Sequence, residues 1–287
     1  MVKSTNRSKR KLPNKAEQEP AVFLRYSILI PLALVLVWSI WHYRAGIKYY
    51  IKAKFDTNKS VDSHSRERDK HDARNIFLMT AHQDKIFGID VSQYQGIIAW
   101  DEVELINESF AVDFVFIRAT MGATAKDSRF EKNWEGAKSK NKLRGAYHYF
   151  RPNENSLKQA RNFINTVDLK PGDLPPVLDI EERPRSQPMD SLRVGLKRWL
   201  DEVERHYGVR PIVYSGDSYF TDFLEKEFKD YTLWIANYNF FVENPKDHWD
   251  FWQFSEKGAV SGIKGYVDLN MYQRDIESLE SLALPQK

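Results

Sequence analysis

Carboxylates at the ends of short apolar runs are the groups in this chain best suited to chemistry. Val177-Leu178-Asp179-Ile180-Glu181 places Asp179 and Glu181 two residues apart. In an extended strand, residues at this spacing share one face and lie about 6.6 Å apart. Because two such carboxylates repel when both are charged, one retains its proton to a higher pH than the other. The pair can therefore supply an acid and a base at the same pH.

Two further acids have a similar setting. Asp90 ends the run Phe87-Gly88-Ile89-Asp90, and Asp268 lies within Gly265–Asn270. If the first and last strands are neighbours in a closed barrel, both acids reach the C-terminal mouth, where barrel enzymes carry their active sites. Solvated loop carboxylates, salt-bridge partners, or an oxygen-ligand site for Mg²⁺ or Ca²⁺ are the alternatives. The absence of cysteine excludes disulfides, thiolate zinc sites and cysteine nucleophiles.

The elements that must position these acids alternate along the chain from residue 85 onward. The predicted strands are 86–91, 112–119, 144–150, 176–181, 211–215, 232–236, 251–254 and 266–269, and the predicted helices are 129–141, 155–167, 189–207 and 217–228. Alternation of this kind predicts an α/β fold with a mostly parallel sheet. This number of strands favours a closed barrel with some short crossovers, and an open doubly wound sheet is the alternative.

The N-terminal part has a different character. Residues 26–43 carry no formal charge at neutral pH, and as a helix they would span about 27 Å, close to the hydrocarbon thickness of a bilayer. This predicts a transmembrane anchor, in preference to a buried soluble helix or a cleaved signal peptide. Residues 1–25 form a basic tail, predicted to be cytoplasmic. Residues 44–85 are predicted to form a polar stalk.

Charge divides the chain in the same place. Residues 1–86 contain 17 Lys or Arg against 8 Asp or Glu, whereas the whole chain has a net charge of +3. The body after residue 86 is therefore net acidic. That balance argues against nucleic acid as a partner.

Several motifs together resemble the family 25 glycoside hydrolases, the Chalaropsis-type lysozymes. They are G-I-D-V-S-x-Y-Q-G at 88–96, F-I-R-A-T-x-G at 116–122, F-x-x-N-W-x-x-A-K at 130–138, R-G-A-Y-H-Y-F at 144–150, P-V-L-D-I-E at 176–181, I-V-Y-S at 212–215, L-W-I-A-N-Y at 233–238, W-Q-F-S at 252–255 and V-D-L-N at 267–270. The similarity runs in order over about residues 86–276. Each segment alone is weak evidence, but the ordered set is specific.

The resemblance implies an irregular, TIM-barrel-like (β/α) barrel over residues 86–287. It also implies retaining hydrolysis of the β-1,4 bond between N-acetylmuramic acid and N-acetylglucosamine in peptidoglycan. Glu181 matches the family's general acid/base. Asp179 matches the carboxylate that acts as nucleophile or steadies the substrate's acetamido group. Asp90 and Asp268 match the two remaining acids of the cleft. An oxocarbenium-like transition state needs such an arrangement of proton and charge.

Aromatic side chains near strand ends are candidates for stacking on sugar rings. The predicted substrate-binding residues are Tyr147, Tyr149, Trp252, Tyr238, Tyr94, Tyr214 and Arg118. Tyr147 and Trp252 are the preferred cleft residues because they lie within matched motifs. Arg118 is expected to provide a cation at the mouth or to form a salt bridge with a barrel carboxylate.

Departures from the family pattern concern recognition of the glycan. Gln93-Tyr94 stands where the family often has His-Trp, and Arg118-Ala119-Thr120-Met121-Gly122 stands where it often has Lys-Ala-Thr-Glu-Gly. The expected partners are peptidoglycan strands and, through residues 26–43, a lipid bilayer. No cofactor or metal is expected. The resemblance places the barrel on the periplasmic or extracytoplasmic side of a bacterial inner membrane. A catalytically silent glycan-binding barrel, a glycosidase for another N-acetylated glycan and a metal-dependent hydrolase are the alternatives.

Overall fold

Residues 19–44, 46–48, 51 and 63–285 are described by the computed structural model of the chain. Residues 1–18 of the predicted basic tail and 52–62 of the predicted stalk lie outside these ranges. The strands are β1 (Ile86–Val91), β2 (Leu105–Ile106), β3 (Phe110–Ala111), β4 (Phe114–Met121), β5 (Ala125–Lys126), β6 (Leu143–Tyr149), β7 (Val177–Asp179), β8 (Ile212–Gly216), β9 (Leu233–Ala236), β10 (Phe251–Gly258) and β11 (Val267–Tyr272). The helices are α1 (Glu19–His42), α2 (Ser63–Ala81), α3 (Phe130–Ser139), α4 (Ser156–Ile164), α5 (Met189–Tyr207), α6 (Asp217–Phe223), α7 (Glu225–Phe228) and α8 (Ile276–Leu282).

A closed barrel forms because β1 pairs with β4 on one side and with β11 on the other. The order around the barrel is β1, β4, β6, β7, β8, β9, β10 and β11. Neighbouring strands are parallel from β1 through β10, whereas β11 runs antiparallel to both of its neighbours. The predicted closed barrel is therefore confirmed, and the open doubly wound sheet is not observed.

Helix α5 shows how the outer layer is specified by spacing. Leu192, Leu196, Trp199, Leu200 and Val203 recur at intervals of one helical turn, and all five are buried. Such a stripe makes one helix face apolar and directs it to the core. The helix ends at Gly208, whose φ of 71° is a left-handed conformation that glycine adopts without a steric penalty.

Two apolar layers lie on opposite faces of the barrel wall. The outer layer lies between the strands and the helices and includes Trp252 and Phe254 of β10. The inner layer fills the lumen and consists of Phe114, Phe116, Tyr147, Leu174, Val177, Ile212, Tyr214, Trp234, Ala236, Phe251, Tyr272 and Leu279. Because side chains of a strand alternate between faces, the strands of the barrel contribute to both layers.

Helix α2 occupies a part of the chain that was predicted to be a solvated stalk. Its second half packs against β10, with Leu78 and Met79 buried. Asp72 is buried as well, and its Oδ1 accepts a hydrogen bond of 2.8 Å from Asn107 Nδ2. The sequence did not predict this helix because its composition is highly charged. Part of the helix face that contacts the barrel consists of polar side chains, which form hydrogen bonds there in place of apolar contacts.

Helix α1 covers most of the predicted transmembrane segment 26–43. Among the described residues, no helix combines the length and the apolarity that crossing a membrane requires. The structure therefore does not support the predicted transmembrane anchor.

Smaller elements differ from the predictions at the surface of the barrel. The predicted helix 217–228 is divided into α6 and α7 around Leu224. The β2–β3 hairpin, β5 and α8 were not predicted. Each of these elements has only two to seven residues. This is too short for a periodic pattern of apolar residues to be recognised in the sequence.

Gly88 marks a close approach between β1 and β4. A Cβ atom at this position would lie 2.5 Å from Phe114 O and 2.6 Å from the Phe114 ring. We expect Gly88→Ala to lower the free energy of unfolding by about 1–3 kcal/mol, the usual range for overpacking. Urea denaturation followed by tryptophan fluorescence measures this change.

Gly195→Ala provides the matched control. Its added Cβ would meet no atom closer than 3.7 Å, and alanine is favoured over glycine inside a helix by about 0.5–1 kcal/mol. This variant is expected to unfold at higher urea concentration than the wild type. Equal effects of the two substitutions would contradict the packing described for β1 and β4.

Candidate active site

An aromatic plug fills the lumen beneath the acidic residues. The Phe116 and Trp234 rings stack with centroids 4.5 Å apart, and the Tyr214 ring lies 4.4 Å from Trp234. Trp234 Nε1 donates a hydrogen bond of 2.8 Å to Asn270 Oδ1. Trp234 thus joins the apolar plug to a layer of polar side chains above it.

Asp90, at the C-terminal end of β1, belongs to that polar layer. Its Oδ2 accepts hydrogen bonds of 2.6 Å from Gln253 Nε2 and 2.8 Å from Asn270 Nδ2. Burial raises the pKa of Asp90 to about 6, the negative charge of Glu181 adds to the rise, and the two amide donors oppose it. Two amide donors therefore fix the orientation of this carboxyl.

Asp268 lies beside Asp90, because β11 pairs with β1 in a register that places the two residues opposite each other. Burial raises the pKa of Asp268 to about 8, and the charges of Asp90, Glu256 and Glu181 add to the rise. The positive charge of Lys257 acts in the opposite direction and lowers the pKa of Asp268. Asp268 therefore tends to hold a proton near neutral pH.

Asp179 and Glu181 lie at the end of β7. Asp179 is 4% exposed, and its Oδ1 has no hydrogen-bond partner. Burial is the largest cause of its strongly raised pKa, followed by the charge of Glu181 and a hydrogen bond with that residue. Partial desolvation by the cleft walls also raises the pKa of Glu181, although its side chain keeps contact with solvent. The two carboxyls therefore form a coupled pair that retains a proton.

The backbone after β7 is held on both sides of Glu181. Ser215 Oγ donates a hydrogen bond of 2.7 Å to Ile180 O. Tyr219 hydroxyl donates one of 2.8 Å to Glu182 O. Together with the hydrogen bond of 3.1 Å from Ile180 N to Tyr214 O, these contacts fix the direction of the segment beyond the end of β7. Glu181 is thereby directed to the mouth and not to the helical layer.

Tyrosine hydroxyls complete the polar layer. Tyr214 donates a hydrogen bond of 2.7 Å to Gln253 Oε1, and Tyr238 donates to the same oxygen. Gln253 therefore links both tyrosines to Asp90. Tyr147 is buried nearby, and its pKa is strongly raised by desolvation and then by the charge of Asp90. The structure thus gathers these three predicted tyrosines around the four acids.

Tyr149 lies on the side of Glu181 that leads to the rim. Its hydroxyl donates a hydrogen bond of 2.9 Å to Glu182 Oε1. Arg151 Nη1 lies 3.6 Å from the same oxygen. The hydroxyl hydrogen of Tyr149 is therefore engaged by Glu182 at the rim.

Tyr94 and Arg118 form a separate corner of the mouth. Tyr94 is 76% exposed, and the Arg118 guanidinium lies 4.6 Å from the centre of its ring. Arg118 Nε donates a hydrogen bond of 2.9 Å to Asp127 Oδ2. The same oxygen accepts a hydrogen bond of 2.9 Å from Gln93 N. Arg118 thus forms a salt bridge, with a carboxylate outside the four acids, and supports an exposed aromatic ring.

The arrangement can protonate a leaving group and hold negative charge beside a developing cation. An exposed ring, several hydroxyls and a coupled carboxyl pair surround one mouth. In the described part of the chain, no group of three or more His, Asp or Glu side chains is placed to hold a metal ion.

Comparisons with known proteins agree with this geometry. The sequence profile of the Glycosyl hydrolases family 25 matches residues 89–263. The chain belongs to this family. It is 40% identical over 200 residues to the uncharacterized protein YegX of Escherichia coli strain K12, covering 68% of this chain and 72% of that protein. It is 33% identical over 211 residues to Lysozyme M1 of Streptomyces globisporus, covering 68% and 70%.

A solved family 25 glycosyl hydrolase from Bacillus anthracis has a similar fold, with a TM-score of 0.63 and 29% identity. The match covers 70% of this chain and 95% of that structure. The chain is therefore a glycoside hydrolase, and its barrel corresponds to almost the whole of that solved structure. Helix α2 ends at residue 81, before the matched region begins.

The prediction that Trp252 lines the cleft of this glycoside hydrolase is wrong. Trp252 is fully buried in the outer layer, and its Nε1 donates a hydrogen bond of 3.0 Å to Asn237 O. Alternation along β10 directs Gln253 into the lumen and Trp252 away from it. Trp252 therefore supports the wall of the hydrolase cleft and does not line it.

Three functional residues were missed from the sequence. Gln253 and Asn270 orient Asp90, and Asp127 fixes both Arg118 and the backbone of Gln93. A signal existed for the two amides, since each is a polar residue within a matched motif and lies between apolar neighbours, in Trp252-Gln253-Phe254 and Leu269-Asn270-Met271. No local signal distinguishes Asp127, which comes from the turn after β5.

Asp268 gives this hydrolase a testable pH dependence. Between about pH 4, the ordinary aspartate range, and about pH 8, the folded state holds a proton that the unfolded state releases. The contribution of Asp268 to the free energy of unfolding therefore falls as pH rises through this window. We expect Asp268→Asn to be more stable than the wild type at pH 8, by about 1 kcal/mol or more.

Thermal melts at pH 5 and pH 8 measure this difference. The gain over the wild type should be larger at pH 8 than at pH 5. Asp230→Asn, at an exposed position, is the control and should show no such trend. A gain for Asp268→Asn that is independent of pH would contradict the assignment of a raised pKa to Asp268.

Proposed function

We propose that the protein is a lysozyme that hydrolyses the β-1,4 bond between N-acetylmuramic acid and N-acetylglucosamine in peptidoglycan. The observation that carries the proposal is the placement of four carboxyls at one mouth of the barrel, with Asp90 opposite Asp268 on β1 and β11 and Asp179 and Glu181 at the end of β7, where burial raises the pKa of each. The lysozyme name of the relative from Streptomyces globisporus supports the choice of substrate.

Glu181 acts as general acid and then as general base in this proposal. It protonates the glycosidic oxygen as the bond to the anomeric carbon breaks, and later accepts a proton from the attacking water. The first step needs a protonated carboxyl, and burial favours that form because it raises the pKa of Glu181 above its ordinary value. Its contact with solvent suits the second step, which requires water.

Asp179 supports the positive charge that develops at the anomeric carbon, either as nucleophile or by steadying the substrate's acetamido group. Membership of the Glycosyl hydrolases family 25 supports a retaining reaction, in which this second carboxyl stays beside the anomeric carbon while the intermediate forms and is hydrolysed.

Asp90 supplies negative potential from the opposite wall, and Asp268, which holds a proton near neutral pH, lies beside it. Asp90 is held by two amide donors, so its orientation does not depend on substrate. Electrostatic groups fixed in advance are effective because they need no reorganisation during the reaction. Tyr94 is the exposed ring best placed to stack on a sugar, while Tyr147, Tyr214 and Tyr238 line the acidic layer.

The decisive experiment compares the wild type with Glu181→Gln on purified sacculi. The amide cannot donate an acidic proton, so we expect the rate of cleavage to fall by about 10²–10⁴-fold. Mass spectrometry of the new reducing ends identifies the bond that is broken. N-acetylmuramic acid ends from the wild type alone would support the proposal.

Glu225→Gln, an exposed glutamate on α7, is the matched control and should cleave at the wild-type rate. Cleavage of a different N-acetylated glycan, with sacculi left intact, would transfer the mechanism to another substrate. Binding to sacculi without any release of reducing ends would favour a silent glycan-binding barrel. Full activity of Glu181→Gln would refute the role of Glu181.

We also propose that α1 keeps the barrel at a lipid bilayer, on the periplasmic or extracytoplasmic side of a bacterial inner membrane. Its apolar side chains from Ile28 to Trp41 are mostly more than half exposed. Contiguous exposed apolar surface of this kind is rare in proteins that do not contact a membrane or a partner. Trp38 and Trp41 lie toward the end of α1, where aromatic rings favour the interface with water.

Co-sedimentation of the full chain with phospholipid vesicles tests this second proposal. The double variant Leu34→Arg with Leu36→Arg should shift the protein to the supernatant, because each buried charge costs about 3 kcal/mol in a bilayer. Val194→Arg, at an exposed apolar position on α5, should leave the distribution unchanged. A wild type that stays in the supernatant would contradict lipid binding by α1.

A further inference from the structure

The ladder between β9 and β10 ends just before the cleft. Its last pair joins Ala236 to Gln253, and Asn237 N still donates to Gln253 O at 3.1 Å. Beyond this point the two segments separate. The side chain of Tyr238, the residue after Asn237, nevertheless donates a hydrogen bond to Gln253, which in turn donates one to Asp90.

Arg74 of α2 takes the place of the missing ladder. Its Nη1 donates a hydrogen bond of 2.8 Å to Phe254 O, and its Nη2 donates one of 3.0 Å to Asn239 O. Asn239 follows Tyr238, and Phe254 follows Gln253. A single planar guanidinium therefore bridges the two residues next to the Tyr238–Gln253 pair, from the outer side of the wall.

The loop 238–243 is attached to the rest of the protein mainly by N-terminal residues. Arg74 Nη2 also lies 3.5 Å from Val242 O, and His82 Nε2 lies 2.8 Å from Glu243 O. Tyr43 hydroxyl donates a hydrogen bond of 2.8 Å to Glu243 Oε1. Arg74, His82 and Tyr43 all precede the region that matches the family.

We propose that Arg74 is a positioning residue for the cleft, which holds the loop 238–243 against β10 and thereby places Tyr238 on Gln253. The inference rests on the proposed glycosidase site, because its consequence for activity passes through Gln253 to Asp90. Arg74 does not contact substrate. Its rigid fork can satisfy two carbonyls at once, which a flexible ammonium does less well.

Arg74→Met keeps the aliphatic stem and removes every donor. In the full chain, we expect amide hydrogen exchange in residues 239–243 to become faster, because the contacts that hold the loop are lost. We expect kcat/KM on soluble peptidoglycan fragments to fall about tenfold. Arg74→Lys should give an intermediate result in both measurements.

Asn75→Ala is the matched control on the same helix. Asn75 Nδ2 donates a hydrogen bond of 3.1 Å to Lys257 O of β10, so its loss weakens the attachment of α2 without touching the loop. We expect this variant to keep wild-type exchange in 239–243 and wild-type kcat/KM. If Asn75→Ala lowered kcat/KM to a similar extent, the effect of Arg74→Met would reflect a general loss of stability and not the position of the loop.

Tyr238→Phe shows whether Arg74 acts through Tyr238. In that background, Arg74→Met should change kcat/KM less than about twofold, because coupled residues show non-additive effects. The same tenfold loss in both backgrounds, or unchanged exchange in Arg74→Met, would overturn the proposal. If the wild type leaves peptidoglycan intact, the proposed function fails, and the exchange measurement alone decides whether Arg74 holds the loop.

Discussion

Burial of several carboxyl groups at one end of a closed lumen is the constraint on which the other features of the site depend. A buried carboxylate is costly unless it is protonated, paired or hydrogen-bonded. Asp90 receives two amide donors, whereas Asp179 keeps one oxygen without a partner. The nearest strong cation, Arg118, is paired with Asp127 and only partly opposes the raised pKa of Asp179. The coupled pair of Asp179 and Glu181 therefore keeps its proton. A direct salt bridge between Arg118 and Asp179 would instead stabilise the ionised carboxylate, and that proton would be lost.

The antiparallel direction of β11 is what completes this acidic cluster. In a barrel of parallel strands, a residue near the start of a strand lies at the end opposite to the active site. Asp268 is the second residue of β11, yet it pairs with Asp90 at the end of β1. The reversal brings the beginning of the last strand to the mouth. The barrel must also close between β1 and β11, because an open sheet would separate these two acids by its full width.

Much of the barrel and its acids could be predicted from the sequence, because short apolar runs and the spacing of Asp179 and Glu181 are local signals. The sequence of β10 does not show which of its two faces points into the lumen. Trp252 and Gln253 are adjacent, and only the packed structure shows which of them enters the lumen. Helix α2 was missed because its buried face includes Asp72 and Asn75, whose partners are distant in the chain. Asp127 was missed for the same reason, since its role exists only once Arg118 and Gln93 are near it.

The departures from the family pattern are concentrated on one side of the mouth. Gln93 Oε1 accepts hydrogen bonds of 3.1 Å from both the backbone N and the Oγ of Ser128, while Arg118 lies under the exposed ring of Tyr94. On the opposite side, Gln253 and Asn270 engage Asp90 without any contact to this corner. The hydrogen bonds that orient Asp90 are thus separate from the contact that supports the exposed ring of Tyr94. A change at Tyr94 or Gln93 therefore alters the exposed surface of the mouth and leaves the hydrogen bonds of Asp90 intact, whereas loss of Arg118 also removes a positive charge that lowers the pKa of Asp179.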